Sequence, residues 1–458
     1  VNDIIKLIKS IIIEMDMEAY IVGGYIRDKL MNPKNSASDL DIAFQGDFEK
    51  ILDELRKRKI KVSSIKKDSS VYRITVNGYC ADISKIKGKN INEDLSKRDF
   101  TVNAIALDIK NNKIVDPFDG RVHIKRRILQ VIDEKSFEDD AVRILRGIRF
   151  YIKYGMHFNG YTEEYIRKHS KNIMKFPRDR VLDEIIHIIH EDENGVFFEV
   201  MDQYMILKNI LPYMEELKTV GKCKHHLVDA FTHMNTAYHV FKDMKKKYLE
   251  VKNINIEEFN KDIGVYNELD YLAFAIFTHD IGKYVSYKKE GQKISFKGHD
   301  EKGLEIIEKV CDELKFPNDG RKIVCSVVKN HMYPLMLFKL KEDERKQKEY
   351  EFFNKFDQYV PHIIVASFCD VYATTIYIDE NNEKDRFTSF ISELVVKYRE
   401  FINLKKIKYI DGNDLIDMGF RGNDIGNILN ELNKMLYIEG SKTKKEQQDF
   451  VLRMKDKL

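Results

Sequence analysis

GGYIRD, Gly23 to Asp28, and SDLDIA, Ser38 to Ala43, decide how this chain is read. The paired glycines follow Ala19-Tyr20-Ile21-Val22, a short apolar run of strand type. Without a Cβ, the backbone N–H groups of Gly23 and Gly24 can approach a phosphate, and Arg27 adds a planar fork suited to triphosphate oxygens. Asp39 and Asp41 are two apart. On a strand they would project from one face, where two carboxylates repel unless a cation lies between them. Mg²⁺, hard and oxygen-seeking, is the expected occupant beside substrate phosphates. Asp82, within Cys80-Ala81-Asp82-Ile83-Ser84, is placed to add a third carboxylate from a neighbouring strand. Two divalent ions held by Asp39, Asp41 and Asp82 could activate a hydroxyl and neutralise a leaving pyrophosphate.

Outward from this motif, further β-branched runs at Leu40–Ala43, Tyr72–Val76 and Ala104–Leu107 predict a mixed sheet within residues 1–125. Beyond it the apolar period becomes helical: Ile144, Leu145, Ile148 and Ile152 recur at three- and four-residue steps, as do Ile185, Ile186 and Ile189. The fold class is therefore α+β, a head with a mixed sheet followed by helical zones. These are a neck at 126–215, a histidine-rich zone at 216–385 and a Lys/Glu-rich tail at 386–458. The charge-dense stretch Lys339–Tyr350 has mixed signs and reads as a solvated helix face.

Composition sets limits on function. In 458 residues, 78 Lys and Arg face 75 Asp and Glu, a net charge of +3, which excludes a uniformly basic nucleic-acid coat. Five scattered cysteines form no CxxC pair, so neither a disulfide framework nor a thiolate zinc site is expected, and a reducing cytoplasm is the simplest setting. Ile11-Ile12-Ile13 is too short for a membrane span or a signal core. The chain opens at Val1 rather than Met, so a trimmed start is expected.

Several blocks in order resemble the class II tRNA nucleotidyltransferases, the CCA-adding enzymes, and the related bacterial poly(A) polymerases. They are the head motif above, EDLSKRDFTVNAIAL (Glu93–Leu107), DPFDGRVHIKRRIL (Asp116–Leu129) and FEDDAVRILRGIRF (Phe137–Phe150). The resemblance implies a polymerase-β-like nucleotidyltransferase head, a neck that recognises the base, an HD domain and an RNA-binding tail. It implies that Arg98 and Asp99 meet the triphosphate and the ribose, and that Asn103 holds the loop or sugar. Lys97 stands where the family has Arg, which replaces a bidentate fork by a point charge. Asp140 and Arg143 correspond to its nucleotide-reading residues. Three apart on a helix, they would share a face and offer an acceptor beside a donor, matching the amino group and ring nitrogen that both cytosine and adenine present. Arg146 and Arg149 would extend that basic face.

The histidine-rich zone resembles HD phosphohydrolases. YLAFAIFTHDIGK (Tyr271–Lys283) brings His279 and Asp280 to the end of an apolar helix, and His233, His299, His331 and Asp370 follow the family order. Such a site would hold one or two of Mg²⁺, Mn²⁺, Ni²⁺ or Fe²⁺ and generate a hydroxide, with His225 and His226 as candidates to support it.

The activity implied is template-independent addition of CMP and AMP from CTP and ATP to the 3′ end of tRNA, with a second metal-dependent phosphohydrolase activity. No membrane and no obligate protein partner are expected. The short interval between Asp82 and Asp94 departs from the family's flexible loop, and keeps CC-only or A-only addition, or poly(A) synthesis, as alternatives. A further alternative is an HD hydrolase with an inactive, RNA-docking head.

Overall fold

The computed structural model describes residues 1–32, 40–65, 70–222, 227–291, 293–407, 409–440 and 442–455. Asp39, His225 and His226 lie outside the described residues. The chain forms two compact units, Val1–Glu191 with Val200–Ile210, and Asp192–Glu199 with Leu211–Leu458.

In the first unit, α1 (Asn2–Glu14), β1 (Glu18–Val22), α2 (Gly24–Met31), β2 (Asp41–Gln45), α3 (Phe48–Lys57), β3 (Lys61–Ser64), β4 (Val71–Val76), β5 (Tyr79–Lys85), α4 (Ile91–Ser96), β6 (Ala106–Asp108) and β7 (Lys113–Val115) build the head. The sheet order is β3-β4-β5-β2-β1-β6-β7, with β2 and β5 parallel and the other pairs antiparallel.

Period-two alternation separates its faces. One row across the sheet is Ile21, Ile42, Ile83 and Tyr72; the next, on the opposite face, is Val22, Asp41, Asp82 and Arg73. The apolar face is covered by α3, whose Phe48 ring lies 6.0 Å from those of Phe44 and Tyr72. Helix α1 buries Ile4, Ile8, Ile11 and Ile12, one stripe at helical spacing. On the other face a cluster of Tyr20, Val22, Ala43, Leu95 and Ala106 packs under α4 and leaves the carboxylate row open. Strands β3 and β7 carry no apolar alternation because they are edges, with Lys61 and Lys113 exposed. Expected as a strand from Ala104, β6 begins at Ala106, because Thr101–Asn103 tighten into a 3₁₀ turn.

The neck comprises α5 (Gly120–Arg126), α6 (Lys135–Asp139), α7 (Val142–Tyr154), α8 (Gly160–His169) and α9 (Arg178–Glu191). Ile144, Leu145, Ile148, Ile185, Ile186 and Ile189 are buried, as the period predicts. One expectation is corrected here. Asp140 does not share a helix with Arg143: it lies between α6 and α7 in an extended conformation (φ −155°, ψ 91°). Its carboxylate accepts from the Val142 N–H two residues on at 3.2 Å, a local bond that competes with helical backbone at this position.

In the second unit, α10 (Ala230–Lys245), α11 (Glu268–Thr278), α12 (His299–Leu314), α13 (Asn318–Asn330) and α14 (Val360–Thr375) surround the histidines. Helix α11 is buried from Leu269 to Thr278 and packs against α10, α13 and α14, so an all-apolar surface suits it. Helices Glu383–Ile407, Gly412–Asp417, Asn423–Glu439 and Lys444–Lys455 follow, the last three sharing a small core that includes Leu415, Ile428, Leu432 and Val451.

Candidate functional site

A cleft of about 1890 Å³ opens over the carboxylate row of the first unit. Its lining includes every head and neck candidate that is described: Gly23, Gly24, Arg27, Asp41, Asp82, Arg98, Asp99, Asn103, Asp140, Arg143, Arg146 and Arg149. Gly23 ends β1 and starts α2 at φ +74°, ψ −135°. A Cβ there would lie 3.1 Å from Arg98 Nη1 and 3.6 Å from Asp41 Oδ2, so the position needs glycine for both conformation and space. Gly23→Ala is expected to cost roughly 1–3 kcal/mol through backbone strain and to weaken nucleotide binding. Unchanged thermal unfolding and nucleotide titration would contradict this.

Asp41 and Asp82 lie directly opposite across the parallel β2–β5 pair. Arg27 is buried and fixed on every side. Nη1 donates to Asn103 Oδ1 at 2.6 Å, Nε to Asp28 at 2.9 Å and Nη2 to the Tyr154 hydroxyl at 3.0 Å, while the Phe150 ring centre lies 4.8 Å from its guanidinium carbon. Arg98 pairs with buried Asp94 at 3.0 Å.

Asp99 is buried. Oδ1 accepts from the Phe100 N–H and Asn103 Nδ2, both at 2.8 Å, and Oδ2 accepts from Arg146 Nε at 2.8 Å. Burial pushes its pKa up, but the Arg146 charge and these hydrogen bonds prevail and hold it at about 2. Stability from this ionised carboxylate is therefore complete above the unfolded-state value near pH 4 and is lost as pH falls towards 2. It amounts to about 2 kcal/mol. The difference in unfolding temperature between wild type and Asp99→Asn should be constant above about pH 5 and shrink below about pH 4. A difference that stays constant down to pH 3 would contradict the assignment.

Helices α7 and α9 face each other across a charged ladder. Arg146 and Arg149 reach Glu184 at 3.9 and 3.2 Å, Arg149 lies 3.2 Å from His187, and Lys153 pairs with Glu191. Asp140 is paired with Arg180 at 2.6 Å rather than with Arg143. Arg143 donates instead to Ser136 Oγ at 2.7 Å and the Lys97 carbonyl at 3.1 Å, tying the neck to the KRD segment of the head. Glu184, with Asp179 and Arg180, resembles a further neck motif in the sequence, whereas Arg73, Asp94, Ser136 and Tyr154 were not among the sequence candidates. Tyr154 stands one helical turn beyond Phe150, a detectable signal; Arg73 depends on strand register and gives none.

In the second unit His233, His279, Asp280, His299, His331 and Asp370 converge. Two groups, His233–His279–Asp280–Asp370 and Asp280–His299–His331, each bring their potential ligand atoms within 4.8 Å of one another, with Asp280 common to both. Three rings point Nδ1 at the carbonyl three residues earlier: His279 to Ile276 at 2.7 Å, His299 to Phe296 at 3.1 Å and His331 to Val328 at 3.0 Å. This presents Nε2 to the cluster, the arrangement of supported metal-binding imidazoles. His279 Nε2 is buried without a hydrogen bond 3.2 Å from Asp280 Oδ2, which also lies 2.5 Å from Lys283 Nζ, so this imidazole nitrogen is open to a cation. Burial lowers the His331 pKa to about 4, while Asp280 and Asp370 outweigh burial and raise His279 to about 10. Despite burial, the Lys283 charge beside Asp280 and hydrogen bonds from the His233 and His279 imidazoles to Asp370 hold both carboxylates well below their usual range. A cavity of about 410 Å³ reaches Asp280, His299 and Asp370, with Phe296, Met332 and Lys283 in its wall. The residues of both units fit divalent-metal use.

Comparison with known proteins finds three family models along the chain. The poly A polymerase head domain matches residues 19–130, the probable RNA and SrmB-binding site of polymerase A matches 155–218, and the HD domain matches 238–353. The chain is 26% identical over 346 residues to the multifunctional CCA protein of Pseudoalteromonas atlantica, covering 71% of this chain and 78% of that protein. It is 27% identical over 253 residues to the A-adding tRNA nucleotidyltransferase of Deinococcus radiodurans, covering 54% of each. The fold is that of the Thermotoga maritima CCA-adding enzyme, solved in complex with tRNA, with a TM-score of 0.64 at 20% identity over 99% of this chain and 95% of that one. With matches to the poly A polymerase head domain, the probable RNA and SrmB-binding site of polymerase A and the HD domain in this order, the chain is similar over most of its length to multifunctional CCA proteins and has the fold of CCA-adding enzymes.

Proposed function

We propose that this protein adds CMP and AMP, without a nucleic-acid template, to the 3′ end of tRNA, and that its HD site hydrolyses a phosphate ester. The observation that carries the first reading is the opposed pair Asp41 and Asp82 on the cleft face, beside a glycine whose Cβ would meet Asp41. Asp41 and Asp82, with Asp39 by its place in the sequence, would hold Mg²⁺, which supplies Lewis-acid polarisation of the α-phosphate and of the attacking hydroxyl. The terminal ribose oxygen then displaces pyrophosphate. Gly23 and Gly24 admit the triphosphate to the backbone, and Arg27, immobilised by Asn103, Asp28 and Tyr154, steadies its charge. Arg98 joins at the phosphates, and Asp99 with Asn103 meets the ribose, where Asp99 Oδ2 keeps an acceptor site beyond the Arg146 N–H for a sugar hydroxyl. Asp140 and Arg143 read the base, with Arg180 orienting Asp140, and Arg146 and Arg149 complete the positive wall.

The domain division proposed is catalysis in 1–125, base recognition in 126–215, the HD site in 216–385 and RNA contact in 386–458. His233, His279, Asp280, His299, His331 and Asp370 would hold Mg²⁺, Mn²⁺, Ni²⁺ or Fe²⁺, supplying a hydroxide for hydrolysis. No helix among the described residues is long and apolar enough to cross a membrane; the cytoplasm, with tRNA, ATP and CTP as partners, is the proposed setting.

A second reading, addition of C alone or A alone, draws on the connection after β5. It is short and closed: the Lys87 N–H donates to Asp94 at 2.8 Å, the Lys89 N–H to Glu93 at 3.0 Å, and Lys97 Nζ to the Lys87 carbonyl at 2.7 Å. The test is to incubate the protein with tRNA ending at the discriminator base, Mg²⁺ and CTP, ATP or both, and to resolve products at nucleotide resolution. C, C and A added in turn support the proposal. A stop after CC, A added only to a CC end, or a long A tail selects an alternative.

A further inference from the structure

Arg73 stands on β4 opposite Asp82 of β5, and Asp82 stands opposite Asp41 of β2, so three charged side chains form one row on the cleft face. The contact between the first two is a matched fork: Arg73 Nε donates to Asp82 Oδ1 at 2.8 Å and Nη2 to Oδ2 at 3.0 Å. The pair is partly open to solvent, with the Arg73 side chain 50% exposed and that of Asp82 27% exposed. Ion pairs this exposed contribute little to stability. What the fork does fix is the rotamer of a carboxylate that would otherwise turn away from its like-charged neighbour Asp41.

We infer that Arg73 is a positioning residue for nucleotidyl transfer, holding the Asp82 carboxylate in the orientation from which it and Asp41 take a divalent cation. Each Asp82 oxygen accepts one N–H from Arg73 and retains a further acceptor site, so clamp and cation can share the carboxylate. The clamp also offsets one of the two negative charges before a cation arrives, which lessens the repulsion that would splay the pair. A lysine at position 73 could supply the charge but not the fork. The inference rests on the reading of the head as a nucleotidyltransferase.

The test is the dependence of primer extension on free Mg²⁺ for wild type, Arg73→Gln, Arg73→Lys, Asp82→Asn and the Arg73→Gln/Asp82→Asn double variant, with thermal unfolding of each. Loss of an outer partner of a metal ligand typically costs about 10-fold or more in metal affinity or activity. Arg73→Gln should therefore raise the half-saturating Mg²⁺ concentration about 10-fold, while leaving the unfolding temperature near that of wild type. Arg73→Lys should recover part of the loss, and the double variant should be no worse than Asp82→Asn alone, because Arg73 acts through Asp82. An unchanged Mg²⁺ dependence in Arg73→Gln, or a full additional loss in the Asp82→Asn background, would overturn the inference. Failure of the underlying reading is separately visible: wild type would then extend no primer, or Asp41→Ala would extend as well as wild type.

Discussion

Asp41→Ala will abolish primer extension, lowering its rate by about 10³-fold or more, while phosphate-ester hydrolysis at the HD site proceeds at the wild-type rate. The expected size follows from the chemistry assigned to the head. Stabilising charge on a transferring phosphoryl group is worth several kcal/mol, and each 1.4 kcal/mol or so is a factor of ten. Asp41 is one of the two described carboxylates that meet across the parallel strands, and its loss leaves the cation to Asp82 and, by its place in the sequence, Asp39. The fold should survive, because Asp41 is exposed and begins its strand rather than filling the core. Single-turnover extension with saturating CTP, set beside hydrolysis of a model phosphodiester by the same preparation, gives the comparison. Extension at more than a tenth of the wild-type rate would remove Asp41 from the reacting centre.

Asp280→Ala carries the reciprocal expectation. Hydrolysis should fall below detection and extension should be unaffected, since Asp280 lies in the second compact unit and the extension cleft in the first. Asp280 is common to both ligand groups and contacts His279, His299 and Lys283 at 3.2, 3.3 and 2.5 Å. Removing it also leaves buried Lys283 without this partner, so some destabilisation of that unit is expected. Asp280→Asn keeps the shape while weakening the ligand, and separates the two effects. If it abolishes hydrolysis with little change in unfolding, the metal role stands; full hydrolysis by Asp280→Asn would refute it.

The order of elements and both clusters were legible in the sequence where chemistry is local. Gly23-Gly24 after an apolar run, and His279-Asp280 at the end of an apolar helix, are set by neighbours within a turn or a strand. The cross-strand meeting of Asp41 and Asp82 needed only the expectation of adjacent strands. The arrangement of Asp140 and Arg143 was not legible. Helical spacing puts them on one face, but Asp140 stands outside the helix, accepts the Val142 N–H and takes Arg180 as partner from α9. Arg73 was hidden for a related reason: its role depends on the register of β4 against β5, fixed by a hairpin and not by any pattern around residue 73. Polar partnerships across elements are what periodicity cannot read, because each depends on two registers at once.

The most direct measurement is anomalous scattering from Mn²⁺ in crystals grown with a non-hydrolysable CTP analogue and a tRNA end. The account predicts a manganese peak within bonding distance of Asp41 and Asp82, with the triphosphate against Gly23 and Gly24. A triphosphate bound elsewhere, with no peak beside Asp41, would contradict it.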